Sequence, residues 1–201
     1  MINVMLIVDK DNILPDSSVL REVIANHPFH NDLDNLLDTV TIKRKSSSDR
    51  VSIQTEGPNV TLFIYQSDTV KDLYRCILYH EFGHTADIHN PRFKYSEDVK
   101  QALNNRQREN FTELWNLYID ARLNRYNIYR HSPGKLIRNV NGQRLVVEIT
   151  QETQLLERID RLSKRDFNNA SVIVEDIWNN PMKEYTFIDL VNLVKINMQK
   201  V

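Results

Sequence analysis

Two histidines and a glutamate with the spacing H-E-x-x-H stand near the middle of the chain, as His80, Glu81 and His84. On an α-helix, residues four positions apart lie about 40° apart around the axis, so both imidazoles can reach one metal ion. Glu81 directly follows the first imidazole and can take the proton of a metal-bound water. Chance should produce this pattern in roughly 1% or fewer of chains this long. The three residues therefore predict a metal site.

The segment around the motif is predicted to be a helix that begins at Ser67 or Asp68 and ends near Asn90 and Pro91. Its apolar stripe consists of Val70, Leu73, Ile77, Leu78 and Phe82. Histidine pairs on helices without a metal are more often surface residues or singly satisfied core groups. Here the apolar neighbours indicate a largely buried helix, in which two histidines and a carboxylate without a cation would be costly.

A catalytic zinc ion needs three protein ligands and one open position, so a third ligand has to come from elsewhere. A helix at 113–125 is apolar around most of its circumference, but Glu113, Asn116, Asp120 and Asn124 form one narrow polar stripe along it. Asp120 lies between Ile119 and Ala121, which favours a buried carboxylate paired with a cation. We therefore expect Asp120 to be the third ligand, with Glu113 as its main rival. Asn116 and Asn124 would then orient ligands or water.

His89 and Cys76 are further candidate ligands near the motif, and neither is expected to bind the metal. His89 lies nine residues after His80, half a turn around a continuing helix, so it could bind only if the helix ended first. We expect it to contact a ligand or the substrate instead. Cys76 lies one turn before His80 and is more simply a core residue.

Composition limits the classes of protein that need to be considered. The chain has 201 residues, of which 41% are hydrophobic and 26% charged, enough for one ordinary domain with a packed core. The formal net charge of −1 gives no general attraction to nucleic acids or acidic membranes. The basic run 43–45 is expected to be a solvated turn. A single cysteine and no apolar run long enough to span a bilayer lead us to expect a cytoplasmic protein.

The elements that must position the site follow from hydrophobic periodicity. Alternation with a period of two predicts strands at 40–43, 51–54 and 60–65, which we interpret as a three-stranded antiparallel sheet. The apolar run at 4–8 fits either a strand or a helix start. Helices are predicted after Asp16 or Ser17, weakly at 97–107, at about 109–129, after Thr150, at about 169–179 and after Thr186. Asn141 and Gly142 predict a hairpin within 136–149.

These elements predict an α+β fold. Residues 1–131 are expected to form a core domain, in which a small antiparallel sheet packs on the H-E-x-x-H helix and on a second central helix. Residues 132–201 are expected to form a hairpin and a helical C-terminal extension packed on that core.

The motif H-E-F-G-H resembles that of zincin-type metallopeptidases. A narrower resemblance is to predicted bacterial metallopeptidases encoded beside von Willebrand A-type domain proteins, whose pattern is H-E-x-x-H-x-x-x-x-H followed by a helix L-W-N-x-x-x-D-x-x-x-N. The matching residues are His80, Glu81, His84, His89, Leu114, Trp115, Asn116, Asp120 and Asn124. The resemblance covers roughly 70–126, although bulky residues at 117–119 replace the family's small ones. It implies a zincin-like fold, zinc on His80, His84 and Asp120, and Glu81 as catalytic base.

The expected function is zinc-dependent hydrolysis of a peptide or protein substrate. Candidate donors to the oxyanion of the reaction are His89, Tyr118, Arg122 and His131. By analogy with zincins, the strand at 60–65 would hold an extended substrate by edge pairing. Two alternatives stay open at this point: a non-catalytic zincin-like module that regulates or binds a partner, and an enzyme that hydrolyses a non-peptide amide.

Overall fold

The computed structural model describes residues 5–8, 17–29, 33–44, 52–64, 71–128, 134–140, 143–149 and 151–198. The chain forms two compact units, Met1–Tyr95 and Ser96–Val201. Strands and helices are present in both, so the predicted α+β class is confirmed. The domain boundary predicted after residue 131 does not coincide with the limit between these units, and it stays a prediction.

The N-terminal unit combines four strands with three helices among its described residues. In chain order they are β1 (Met5–Val8), α1 (Ser17–Ala25), α2 (Leu33–Leu36), β2 (Thr39–Arg44), β3 (Ser52–Glu56), β4 (Asn59–Ile64) and α3 (Lys71–His89). The apolar run at the N-terminus is therefore a strand. Helix α3 contains the whole H-E-x-x-H motif, as predicted.

The sheet differs from the predicted three-stranded antiparallel arrangement. It has four strands in the order β1-β2-β4-β3. Strand β2 pairs in parallel with both β1 and β4, and only β3 and β4 are antiparallel. The prediction of an antiparallel sheet is therefore wrong, and the sheet is mixed.

The reason for the difference lies in which strands are neighbours. Gly57 has a φ of +58°, which glycine adopts at little cost, and it turns β3 directly into β4 as a tight hairpin. Strand β4 then lies between β3 and β2, and the N–H of Asp38 donates to the carbonyl of Pro58, 2.9 Å away, at the start of the β2–β4 pair. Strands β2, β3 and β4 do reverse direction in turn, although β1 and β2 are parallel. Alternation shows which residues share a face, however, and not which strands are adjacent.

The core of the N-terminal unit lies between the sheet and the helices α1 and α3. The apolar face of α1 is buried, and so is one face of the central strands. These buried residues are Val19, Leu20, Val23, Ile24, Val40, Ile42, Val60 and Leu62. Helix α3 packs against α1 and against β3, so the motif rests on both layers of the unit.

The C-terminal unit is built around one long helix. Its elements are α4 (Glu97–Gln101), α5 (Asn105–Arg125), β5 (Gly134–Val140), β6 (Gln143–Ile149), α6 (Gln151–Ser163), α7 (Ala170–Asn179) and α8 (Phe187–Asn197). Helix α5 packs against α6, α7 and α8 and is buried on most sides, as its apolar circumference predicted. Across all described residues, no helix has both the length and the apolar character needed to cross a membrane.

Several predictions for this unit are confirmed. Strands β5 and β6 form the antiparallel hairpin, although the turn residues Asn141 and Gly142 lie outside the described residues. Helix α7 has the expected limits, and α8 has the expected start, where Thr186 and Asp189 form a capping box. The predicted start of the long helix near Glu109 is wrong. Helix α5 begins at Asn105, because Asn104 and Gln107 form another capping box before it.

Candidate metal centre

Helix α3 presents His80, Glu81 and His84 on a half-buried face. At about 100° per residue, the three side chains lie within roughly one third of the helix circumference. The opposite side of the helix is fully buried and contains Leu78, Phe82 and Ala86. The apolar side therefore anchors α3 in the unit, while the motif keeps access to solvent.

The two imidazoles have a geometry that suits a shared metal ion. Their ring centroids are 5.2 Å apart and their planes make an angle of 78°. Zinc–nitrogen bonds of about 2.0–2.1 Å at a tetrahedral angle would place two ligating imidazole centroids about 5 Å apart. The observed separation of the ring centroids is therefore compatible with a zinc ion shared by His80 and His84.

A buried histidine from outside the motif contacts α3 beside His80. His27, only 2% exposed, follows α1, and its Nε2 lies 2.9 Å from the backbone carbonyl oxygen of Tyr79. The N–H of Phe29 donates to Nδ1 of the same ring at 3.3 Å. A carbonyl only accepts and an N–H only donates, so this pairing requires the neutral tautomer with the proton on Nε2. His27 thereby ties the end of α1 to the residue that precedes His80.

A second side-chain hydrogen bond contacts α3 beside His84. The hydroxyls of Thr55, on β3, and Thr85, which is fully buried on α3, are 3.1 Å apart. Thr55 pairs across the sheet with Val60, whose side chain is buried in the core. This bond joins strand β3 to the residue that follows His84.

His89 and Cys76 both lie on α3. Helix α3 extends to His89, its last residue, so the condition for His89 to bind the metal, an earlier helix end, is not met. His89 is therefore about half a turn around the axis from His80. Cys76 is half-buried on α3.

The two rival third ligands, Asp120 and Glu113, lie on α5 in the C-terminal unit, where the same arginine contacts both. Asp120 is 1% exposed and Glu113 is 5% exposed. Arg158 of α6 donates from Nη1 to Oε1 of Glu113 at 2.8 Å and from Nη2 to Oδ2 of Asp120. The expectation of a buried Asp120 paired with a cation is met by this guanidinium. Asp120 as a metal ligand stays a prediction.

Glu113 is held by further arginines. Arg161 donates to both of its carboxylate oxygens, at 2.7 and 3.1 Å, and Arg165 lies 4.0 Å away. Burial by itself would raise the pKa of Glu113. The hydrogen bond from Arg161 and the charges of Arg158, Arg161 and Arg165 outweigh burial and hold the pKa below its ordinary value. Glu113 is therefore an ionised carboxylate committed to arginines.

The other candidate residues from the sequence, apart from His131, lie on α5. Asn116 and Asn124 are half-buried on α5. The hydroxyl of Tyr118 accepts from the N–H of Tyr185 at 3.2 Å, and the guanidinium of Arg122 lies 4.0 Å from the centroid of the Tyr118 ring. These contacts belong to the packing of the C-terminal unit. His131, the fourth candidate oxyanion donor, lies outside the described residues.

Sequence reasoning missed the arginines that pair with the two carboxylates and the side chains that fasten α3. For the arginines a signal existed, since Arg158, Arg161 and Arg165 recur at helical spacing and predict a basic stripe on one face. For His27 and Thr55 no local signal existed, because each lies far along the chain from the residue that it contacts.

Within the described residues, no group of three or more His, Cys, Asp or Glu side chains is arranged so that it could hold a metal ion. His80 and His84 are thus the two candidate ligands that the described residues bring together, and the identity of a third ligand stays a prediction. Comparisons with protein-family models, curated proteins and solved structures found no match for this chain.

Proposed function

We propose that this chain is a zinc-dependent metallopeptidase that binds zinc through His80 and His84, with Asp120 as third ligand. The observation that carries the proposal is the imidazole pair on the half-buried face of α3, with ring centroids 5.2 Å apart. That separation suits two ligands of one tetrahedral ion. Glu81, on the same face, supplies the carboxylate that metal-assisted hydrolysis requires.

The roles of the protein groups follow from their chemistry. When bound, zinc would acidify a water molecule and polarise a substrate carbonyl. Glu81 would accept the proton of the attacking water and return it to the leaving nitrogen as the peptide bond breaks. Because the side chain of Glu81 is half-buried, it can reach a substrate while its surroundings remain partly shielded from water.

The substrate would pair with β3 instead of the strand at 60–65 expected from the sequence. Strand β4 is paired on both sides, with β2 and with β3, so its backbone has no open edge. Strand β3 ends the sheet within the described residues, and its Thr55 is hydrogen-bonded to α3 beside His84. An extended peptide added to β3 would therefore lie near the helix that carries Glu81.

Asp120 remains our choice for the third ligand over Glu113. Both carboxylate oxygens of Glu113 accept hydrogen bonds from arginines, and three arginines lie within 4.0 Å of it. If Glu113 moved away from these arginines to bind a metal, several positive charges would lose their anionic partner, which is costly in a buried site. Asp120, which Arg158 contacts through Oδ2, also occupies the acidic position of the L-W-N-x-x-x-D-x-x-x-N pattern.

Elemental analysis of the purified full chain tests the metal site. We expect about one zinc per chain, and a loss of zinc in His80→Ala and His84→Ala. His89→Ala is the matched control, since it removes an imidazole from the same helix but from another side, and it should keep the metal. A parent chain without zinc under metal-replete conditions, or an equal loss in His89→Ala, would contradict the proposal. Asp120→Ala and Glu113→Ala decide the third ligand.

Glu81→Gln separates the enzyme from a module that only binds metal. The amide keeps the size of the side chain and cannot act as a base. We expect the variant to retain zinc and to lose peptide hydrolysis, measured on a mixed peptide library by mass spectrometry. Undetectable hydrolysis by the zinc-loaded parent across the library would favour a non-catalytic module. Cleavage only of non-peptide amides would change the substrate class.

A further inference from the structure

Helix α3 is fastened to the rest of its unit at the two residues that flank the H-E-F-G-H segment. Tyr79 directly precedes His80, and Thr85 directly follows His84. The carbonyl of Tyr79 contacts His27, 52 residues away along the chain, and the hydroxyl of Thr85 contacts Thr55, 30 residues away. These two hydrogen bonds, one at each end of the motif, come from different elements of the unit.

The bond from His27 is additional to the helix's own hydrogen bonds. In an α-helix, the carbonyl of Tyr79 accepts from the N–H four residues later, and its second lone pair remains for His27. The ring of His27 is oriented by Phe29, which donates to Nδ1 and packs edge-on at a centroid distance of 4.9 Å. The imidazole of His27 therefore forms a directional hydrogen bond to the peptide unit that joins Tyr79 to His80.

The bond from Thr55 complements it on the other layer of the unit. Thr55 lies on β3, and Thr85 is fully buried against it. Apolar packing alone allows a helix to slide or rotate slightly, whereas two directional bonds on different sides restrict both movements. The turn that carries both imidazoles is thus held in rotation and in position along its axis.

We propose that His27 and Thr55 are positioning residues that preorganise His80 and His84 for metal binding. This inference rests on the proposed metal site. Removing outer partners that orient metal ligands typically lowers metal affinity by about 10–100-fold. His27 and Thr55 act through residues adjacent to the ligands, so we expect the lower end, about 10-fold for each.

The test measures the zinc dissociation constant of the full chain by competition with a chromophoric chelator, next to thermal unfolding of the metal-free form. His27→Ala and Thr55→Val remove the two bonds. His27→Gln and Thr55→Ser retain a donor or a hydroxyl and should restore much of the affinity. Val23→Ala is the control, because it creates a cavity in the same core without touching either bond. It should lower the unfolding temperature and leave the zinc affinity unchanged.

Weaker zinc binding in His27→Ala and Thr55→Val, with rescue by the conservative variants, supports the inference. Zinc affinities equal to the parent's in folded variants, as in Val23→Ala, would overturn it and leave the metal site intact. A parent chain that binds no zinc would overturn the metal site and this inference together. If His27→Ala does not fold, Thr55→Val decides, since it exchanges a hydroxyl for a methyl group of similar size.

Discussion

Replacing Arg158 with methionine should strongly destabilise the protein. The Arg158 side chain is 12% exposed and bridges Glu113 and Asp120, whose side chains are 7% and 2% exposed. Removing one partner of a buried ion pair costs about 3–5 kcal/mol, because a charge is left buried without compensation. Glu113 would keep the two hydrogen bonds from Arg161, so its share of the loss is reduced. We expect the free energy of unfolding to fall by about 3 kcal/mol, most of it through Asp120.

Urea unfolding followed by circular dichroism at pH 7, with linear extrapolation, measures this change. Lys164→Met is the matched control. It breaks the ion pair between Lys164 and Asp160, whose side chains are 73% and 57% exposed. An exposed pair with i,i+4 spacing contributes about 0.3–0.5 kcal/mol. Equal losses in Arg158→Met and Lys164→Met would refute the assignment of a buried ion-pair network.

A double-mutant cycle tests the sign of the interaction. Asp120→Asn should destabilise the parent, because Arg158 loses a charged partner. In the Arg158→Met background the same change should be neutral or stabilising, since it removes a buried carboxylate that has lost its arginine. A loss of the same size in both backgrounds would show that Arg158 and Asp120 do not interact energetically.

The pH dependence of the network follows from Glu113. Its pKa is lowered in the folded state below its ordinary value of 4.5, so folding favours the ionised form. The stability that Glu113 contributes is therefore fully present above about pH 4.5 and is lost as the pH falls through the lowered pKa. Arg158→Met removes one of the charges that lower this pKa. The variant should consequently lose less stability than the parent between neutral and acidic pH.

Two further predictions concern the C-terminal unit. Asn104→Ala removes the 2.9 Å hydrogen bond that the Asn104 side chain accepts from the N–H of Gln107, while the 3.1 Å bond from the N–H of Asn104 to the Gln107 side chain can remain. The change should cost about 1 kcal/mol in urea unfolding. Asn104→Ser should retain most of the stability, and equal losses in the two variants would contradict the cap. Asp176→Asn weakens the contacts of Asp176 with Lys183 at 2.7 Å and with Tyr185 at 2.6 Å. Because the ion pair of Asp176 and Lys183 is about half exposed, the free energy of unfolding should fall by only about 0.5 kcal/mol. The hydrogen bonds from Lys183 and Tyr185 lower the pKa of Asp176 from 3.8, so this difference should be present at pH 7 and vanish as the pH falls below about 3.8. A difference that persists in acid and in high salt would contradict the ionic origin.

Local patterns predicted the helices well and the order of the strands poorly. The apolar face of α1 follows from spacing within a few residues, and so does the burial of Phe82 and Ala86 on α3. The neighbour of β2 does not follow from such spacing, because β2 pairs with β4 and not with β3, the next strand along the chain. A period of two is compatible with either neighbour and with either direction, so the mixed sheet was beyond local information.

The same distinction applies to the candidate site. The approach of His80 to His84 was predictable because both lie on one helix, where spacing fixes geometry. The contacts of His27 with Tyr79 and of Thr55 with Thr85 depend on how α1 and β3 pack against α3. Side chains brought together only by the fold leave no periodic trace in the sequence.

Asp120 shows how far burial alone can take a functional assignment. An acidic residue within an apolar helix face correctly indicated a cation, but burial does not distinguish a guanidinium from a metal ion, because either one compensates the charge. Arg158 is the cation that contacts Asp120 through Oδ2.

The variant Arg158→Met separates the two roles of Asp120, as a metal ligand and as a partner of α6. If Asp120 binds zinc, the guanidinium competes with the metal for the same carboxylate, and its removal should strengthen zinc binding even while it destabilises the fold. If Asp120 serves only to pair with α6, the same variant should lose stability and leave the zinc affinity unchanged. Stability and metal affinity moving in opposite directions would therefore identify Asp120 as a ligand, and a change in stability alone would assign it to the core.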